Sequence, residues 1–104
     1  MRGNERMDEQ LFYVYIVTNK PNGTLYIGMT DDLNKRAWEH REHVLKRSFS
    51  DRYNLEMLVW YEAHPSRESA FVRERQMKKW NRQWKINLIE KPNPDWRDLA
   101  DVLL

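Results

Sequence analysis

The sequence predicts an α+β domain: a small three-stranded, mostly antiparallel sheet flanked by helices, in the order β-β-α-β-α-α. Three observations carry this expectation. First, LFYVYIVT (residues 11–18), LYIGM (25–29) and EMLVWYE (56–62) are short runs rich in β-branched and aromatic residues. Second, Lys20-Pro21-Asn22-Gly23 separates the first two runs with residues that favour a tight turn. Third, the remaining segments carry apolar residues at helical spacing and open on capping residues.

Each element follows in chain order. Leu11–Thr18 is apolar almost throughout, as a strand buried on both faces would be. Lys20–Gly23 fits a type I turn, with Pro second and Gly fourth. A four-residue loop then pairs Asn19 with Thr24, Val17 with Tyr26 and Tyr15 with Gly28. In that register Tyr15 and Tyr26 are diagonal neighbours on one face, about 7–8 Å apart. A loop of odd length would split them between faces. Gly28 opposite Tyr15 leaves a gap through which a ligand or a backbone can approach. Thr30 or Asp31 caps a first helix with an acidic first turn, running to about Lys46. Ser48–Tyr53 reads as a loop and Glu56–Glu62 as the third strand. His64-Pro65-Ser66 breaks the chain, and Ser66 caps a second helix running to about Arg82. Gln83–Glu90 forms another short helix, stopped by Pro92 and Pro94. Pro94-Asp95-Trp96 opens a last helical turn. Residues 1–10 read as a disordered tail and 11–91 as the domain. Residues 92–104 read as an extension that packs on it through Trp96.

Composition narrows the function classes. A chain of 104 residues is one domain. Without Cys there is no disulfide framework and no thiolate metal site. No apolar run is long enough to span a membrane, and MRGNERMDEQ lacks the apolar core of a signal peptide. The expected location is therefore the cytoplasm. The net charge of +2 permits a nucleic-acid partner without demanding one. Its distribution says more. Arg67, Arg73, Arg75, Lys78, Lys79, Arg82, Lys85 and Lys91 face only Glu68, Glu74 and Glu90 in the same stretch. A solvated helix face and a phosphate-binding face both fit that pattern.

Two helices carry polar groups where apolar ones are expected. In the first, Leu33, Ala37 and Val44 form the inward stripe, at about 100° per residue. His40 falls inside that stripe, and Arg36 lies at its edge four residues earlier. Arg is seldom buried without an anion. In the second, Ala70, Phe71, Met77, Trp80 and Trp84 mark an apolar arc, and Glu74 lies within it. A carboxylate there must be paired or bound to metal. A salt bridge to Lys78 or Arg36 would satisfy it, and so would a cation. Arg75, Lys79 and Arg82 face outward or along the rim.

These residues together resemble the GIY-YIG nuclease domain. The first motif appears as Val14-Tyr15-Ile16 and the second as Tyr26-Ile27-Gly28. Arg36, His40 and Glu74 match the family's arginine, histidine and metal-binding glutamate. The resemblance covers about residues 11–90 and looks closest to the compact single-domain bacterial members. It implies the GIY-YIG fold and a DNA endonuclease of repair, recombination or defence that hydrolyses phosphodiester bonds. It also implies one divalent ion, Mg²⁺ or Mn²⁺, on Glu74. Tyr15, Tyr26, Arg36, His40 and Glu74 would be catalytic. Gly28, Lys78, Arg75, Lys79, Arg82 and Asn87 would bind substrate. Arg36 would steady the transition state through its fork of donors. Tyr15 or Tyr26 would take the proton of the attacking water, and His40 would orient a phenol or water. The expected partner is DNA, branched or single-stranded, with the chain acting as a monomer.

Two other classes stay open on the residues. A nucleic-acid-binding module could keep the fold with little turnover. A protein-interaction domain could use its exposed aromatics, Trp96 and the acidic C-terminus.

Overall fold

The computed structural model describes residues 10–44 and 52–103. Its elements are β1 (Phe12–Thr18), β2 (Leu25–Thr30), α1 (Leu33–Arg41), β3 (Met57–His64), α2 (Arg67–Lys78), α3 (Arg82–Glu90) and α4 (Ala100–Leu103). The sheet order is β2-β1-β3, and both pairings are antiparallel. This is the α+β architecture the sequence predicts. The polar tail at 1–9 and most of the Ser48–Tyr53 loop lie outside the described residues.

Strand β1 occupies the centre because both of its faces are apolar. Val14 and Ile16 join Ile27, Val59, Trp60, Ala70, Met77, Ile89 and Trp96 in one core cluster. That cluster lies on the α2 and α3 side. Tyr15 and Val17 join Leu33, Ala37, Leu55, Leu58 and Ala100 in the other, on the α1 and α4 side. The period-2 alternation of a strand thus feeds two cores at once. Three layers result: helices, sheet, helices.

The hairpin register is the expected one: Val17 faces Tyr26 and Tyr15 faces Gly28. Its turn differs. Gly23 N donates to Lys20 O at 2.9 Å, but Asn22 has φ of 59°. A positive φ at the third position marks a type II turn, not type I. Asn tolerates that region better than most residues, and so the type I expectation fails on Asn22.

Helix α1 is capped by Asp32, whose side chain accepts from Lys35 N at 3.1 Å. Thr30 instead orients the cap, accepting from Asp32 N at 3.0 Å. The expected caps Thr30 and Asp31 are therefore one or two residues early, and the first turn holds no acid. The helix stops at Arg41, and His43 takes φ of 57°. Val44 lies past that break and is exposed, so it leaves the inward stripe.

Ser66 does cap α2, accepting from Ser69 N at 3.1 Å. Asn81 opens α3 in the same way, accepting from Trp84 N at 2.9 Å. That second cap ends α2 at Lys78 rather than Arg82. It also turns Trp84 outward. Phe71 and Trp84 are exposed, so only Ala70 and Met77 of the expected arc are buried.

The start of the free edge of β3 is covered by the chain itself. Val17 pairs with Leu58 and Ile16 with Trp60, so Val59 forms a bulge. Asn93, 4% exposed, donates from Nδ2 to Val59 O at 3.0 Å. Asp98 Oδ1 accepts from Leu58 N, and Leu99 N donates to Leu58 O at 2.7 Å. Arg41 reaches across from α1 to Asp98 at 2.6 Å. No helical turn starts at Pro94. Trp96 adopts φ of 54° and the next helix begins at Ala100. The amide and carbonyl of Leu58 and the carbonyl of Val59 are thus paired rather than open to another strand.

Gly28 supports the central packing by lacking a side chain. A Cβ there would lie 2.5 Å from Tyr15 Oη and 2.6 Å from Cζ. The gap foreseen at Gly28 is thus filled by the Tyr15 phenol rather than left for a ligand. Gly28→Ala should push that ring off its seat and cost about 1–3 kcal/mol in urea unfolding. An unchanged unfolding midpoint would show that the ring has room to move.

Candidate active site

The site begins with Tyr15, which is 1% exposed. Its ring sits on Gly28 and meets His40 from α1, with centroids 5.6 Å apart and edges facing. Tyr26, half-buried on β2, lies 6.1 Å from the same imidazole. One histidine therefore holds both phenols, because the even-length hairpin loop keeps them on one face.

Tyr15 Oη and His40 Nε2 are 3.2 Å apart. Burial pushes the Tyr15 hydroxyl above the ordinary phenol range. The Arg36 guanidinium pulls it back down, while Tyr26 and then Glu74 add to the rise. Burial also lowers His40, to about 4, with the Arg36 charge adding to that shift. The ring is neutral near pH 7. Among the described residues its Nδ1 has no hydrogen-bond partner. A buried lone pair without a partner is better tolerated than a buried N–H without one. With the proton on Nε2, the ring donates to Tyr15 Oη and leaves only a bare lone pair at Nδ1.

Arg36 lies on α1 at the edge of this cluster. Its Nε pairs with Glu39 Oε1 at 3.0 Å, and about a third of its side chain remains exposed. The anion expected for Arg36 is thus Glu39, which sequence reasoning missed. Its three-residue spacing on the helix was the available signal.

Glu74 comes from α2, on the opposite face of the sheet. Only 14% of its side chain is exposed, and Lys78 Nζ lies 3.3 Å from its Oε2. Of the two salt bridges considered for Glu74, the Lys78 one forms. Its field nonetheless reaches Tyr15. Groups from both faces meet because β2 is an edge strand. A cavity of about 370 Å³ is lined by Phe71, Glu74, Arg75, Lys78 and Lys79. Another, of about 310 Å³, is lined by Leu25, Tyr26, Ile27, Lys78 and Lys85. Three consecutive β2 residues in one lining mean that the groove follows the strand's edge. Lys78 belongs to both cavities and joins them. Lys85 was also missed as a site residue, although it lies in the basic stretch.

The other sequence candidates divide. Lys78 and Lys79 stand in the groove, and the Arg75 guanidinium lies 5.4 Å from the Phe71 ring centroid. Arg82 donates from Nη2 to the carbonyls of Asn22 and Gly23, both at 2.6 Å. That guanidinium fastens the hairpin turn to α3. Asn87 accepts from Gln83 Nε2 and lines a separate groove with Trp80, Trp84, Leu88 and Lys91. The structure does not bring it to the Glu74 cluster, because the Asn81 cap rotates that face of α3 outward. Gly28 contributes by seating Tyr15, as described above. A further cavity, lined by Tyr13, Asp31, Asp32, Leu33, Asn34, Tyr61 and Leu103, shares none of these groups.

His40 makes stability depend on pH. The unfolded chain binds its proton near pH 6.5 and the folded chain near 4, so the unfolded state holds more protons between these values. Its contribution is complete above about pH 6.5 and is lost as the pH falls through about 4. His40→Gln should flatten the fall in urea midpoint between about pH 7 and about pH 4.5. A variant with the wild-type slope would assign that slope to other groups.

Comparisons with known proteins bear on the family. Residues 11–87 match the family model of the GIY-YIG catalytic domain. A UPF0213 protein of Staphylococcus saprophyticus is 33% identical over 79 residues, covering 76% of this chain and 94% of that protein. One from Syntrophus aciditrophicus is 35% identical over 83 residues, covering 80% and 93%. The solution structure of a UPF0213 protein from Bacillus halodurans superposes with a TM-score of 0.53 at 25% identity, over 88% of this chain and 96% of that one. Among the described residues no helix is long and apolar enough to cross a membrane. With Tyr15, the Tyr26-Ile27-Gly28 strand, Arg36, His40 and Glu74 gathered at one sheet edge, this chain belongs to the GIY-YIG family of nuclease-fold proteins.

Proposed function

We propose that the chain is a metal-dependent endonuclease that hydrolyses DNA phosphodiester bonds, acting as a cytoplasmic monomer in repair, recombination or defence. One observation carries the reading. Two phenols, a neutral histidine, an arginine and a lone carboxylate converge on the edge of β2 from both faces of the sheet.

The donor set fits a hard divalent ion. Among the described residues no group of three or more His, Cys, Asp or Glu side chains is poised to hold a metal. Mg²⁺ suits such a site, since it keeps several waters and takes one or two carboxylates plus phosphate oxygens. Glu74 would hold it, in exchange for its bond to Lys78, and Mn²⁺ would serve in the same place. Bound there, the ion would supply Lewis-acid stabilisation of charge on the phosphate.

The chain's own residues have separable tasks. Arg36, kept in position by Glu39, offers its remaining donors to phosphate oxygens in the transition state. Tyr26 lines the groove where water reaches it, so it is the phenol placed to take the proton of the attacking water. Tyr15 is sealed in and holds its proton more tightly, so it positions the site with His40 rather than reacting. Lys78, released from Glu74, joins Lys79, Arg75 and Lys85 in neutralising the flanking backbone. Residues 11–91 would form the catalytic unit, and 92–104 would brace β3.

A second reading, a binding module with little turnover, takes support from the Glu74–Lys78 ion pair, which satisfies the carboxylate without any cation. Nicking of supercoiled plasmid in Mg²⁺ or Mn²⁺, against EDTA, separates the two. Wild type should cut only with metal. Glu74→Ala should lose at least about 100-fold in rate, the scale of removing one charge-stabilising group, and keep its unfolding midpoint. Cutting retained in that variant would remove Glu74 from the mechanism. Binding without cutting by wild type would favour the second reading.

A further inference from the structure

Phosphate chemistry leaves one groove residue without a purpose. Phe71 is 47% exposed on α2, although Ala70 beside it is fully buried. It does not serve the core. Instead it lines the cavity of about 370 Å³ that also contains Glu74, Arg75, Lys78 and Lys79. The Arg75 guanidinium lies 5.4 Å from its ring centroid and holds it in place. Phe71 stands three residues before Glu74 and four before Arg75, so all three share one helix face.

Three cations with one carboxylate suit a polyanion, but an exposed ring adds nothing to phosphate binding. A π-face beside a cationic track is how single-stranded nucleic acid is held, with bases stacked on aromatics and the backbone on Lys and Arg. In a duplex the base faces are buried in the stack and cannot reach such a ring. The Trp80–Trp84 pair offers another exposed aromatic surface, but its groove shares no residue with the Glu74 cavity.

We infer that Phe71, backed by Arg75, is a stacking platform for an unpaired nucleotide whose phosphate lies along Lys78 and Lys79 in the same cavity. The substrate is accordingly DNA that is single-stranded or frayed at the cut. This rests on the nuclease reading for the cut, but not for the binding itself.

Anisotropy of a labelled oligothymidylate and of a blunt, loop-free duplex of equal charge, in EDTA at one salt concentration, tests it without turnover. Wild type should bind the single strand more tightly. Phe71→Ala should weaken single-strand binding by about 5- to 100-fold, the range for losing one base–aromatic stack. Its duplex affinity should stay within about twofold. Phe71→Trp should restore single-strand binding. Equal losses on both ligands, no loss on either, or failure of Phe71→Trp to restore binding would overturn the inference. A chain that nicks no plasmid yet shows this discrimination would refute the nuclease reading alone. A chain that nicks plasmid but keeps single-strand affinity in Phe71→Ala would refute the platform alone.

Discussion

The arrangement depends on one contact, the phenol of Tyr15 resting where Gly28 has no side chain. A residue on the central strand can be large only if its neighbour on β2 leaves room. Here the room is complete, since any Cβ on Gly28 would overlap the ring. The ring in turn gives His40 a polar partner in a buried position. That contact sets where α1 lies against the sheet, and α1 carries Arg36. The tyrosine of one strand and the glycine of the next thus fix a helix and its guanidinium.

A three-stranded sheet has two edges, and this chain uses them differently. The β3 edge is covered at Leu58 and Val59 by Asn93, Asp98 and Leu99. The β2 edge carries the groove. Around it, α1 and α2 bring groups from opposite faces within electrostatic reach of Tyr15. Arg82 ties the hairpin turn to α3 and so fixes the outer end of that edge. Covering the bulged end of one edge limits strand pairing there and leaves the other edge for binding.

Much of this was legible in the sequence. The order of strands and helices along the chain, the hairpin register and the Tyr15–Gly28 pairing follow from alternation and loop length, which act over a few residues. The convergence of Tyr15, Arg36, His40 and Glu74 was visible as polar groups on apolar stripes, and as a family motif. What escaped was set by choices between near-equal local options. Asn22 could serve either turn type, and tertiary packing chose the one with positive φ. Asp32 won the cap of α1 over its two neighbours. Asn81 took the cap of α3, so α2 ends a turn before the expected Arg82 and Trp84, counted on the apolar arc of that helix, lies exposed on the next one. The meaning of Gly28 was half legible. A gap was evident, but only the folded chain shows that Tyr15 itself fills it.

The seat of Tyr15 over Gly28 depends on its hydrogen bond to a neutral His40. The ¹⁵N spectrum of the His40 ring near pH 7 tests this directly. A neutral ring is expected, with its proton on Nε2 and a shift that changes in Tyr15→Phe. A proton on Nδ1, or a charged ring at that pH, would contradict the claim.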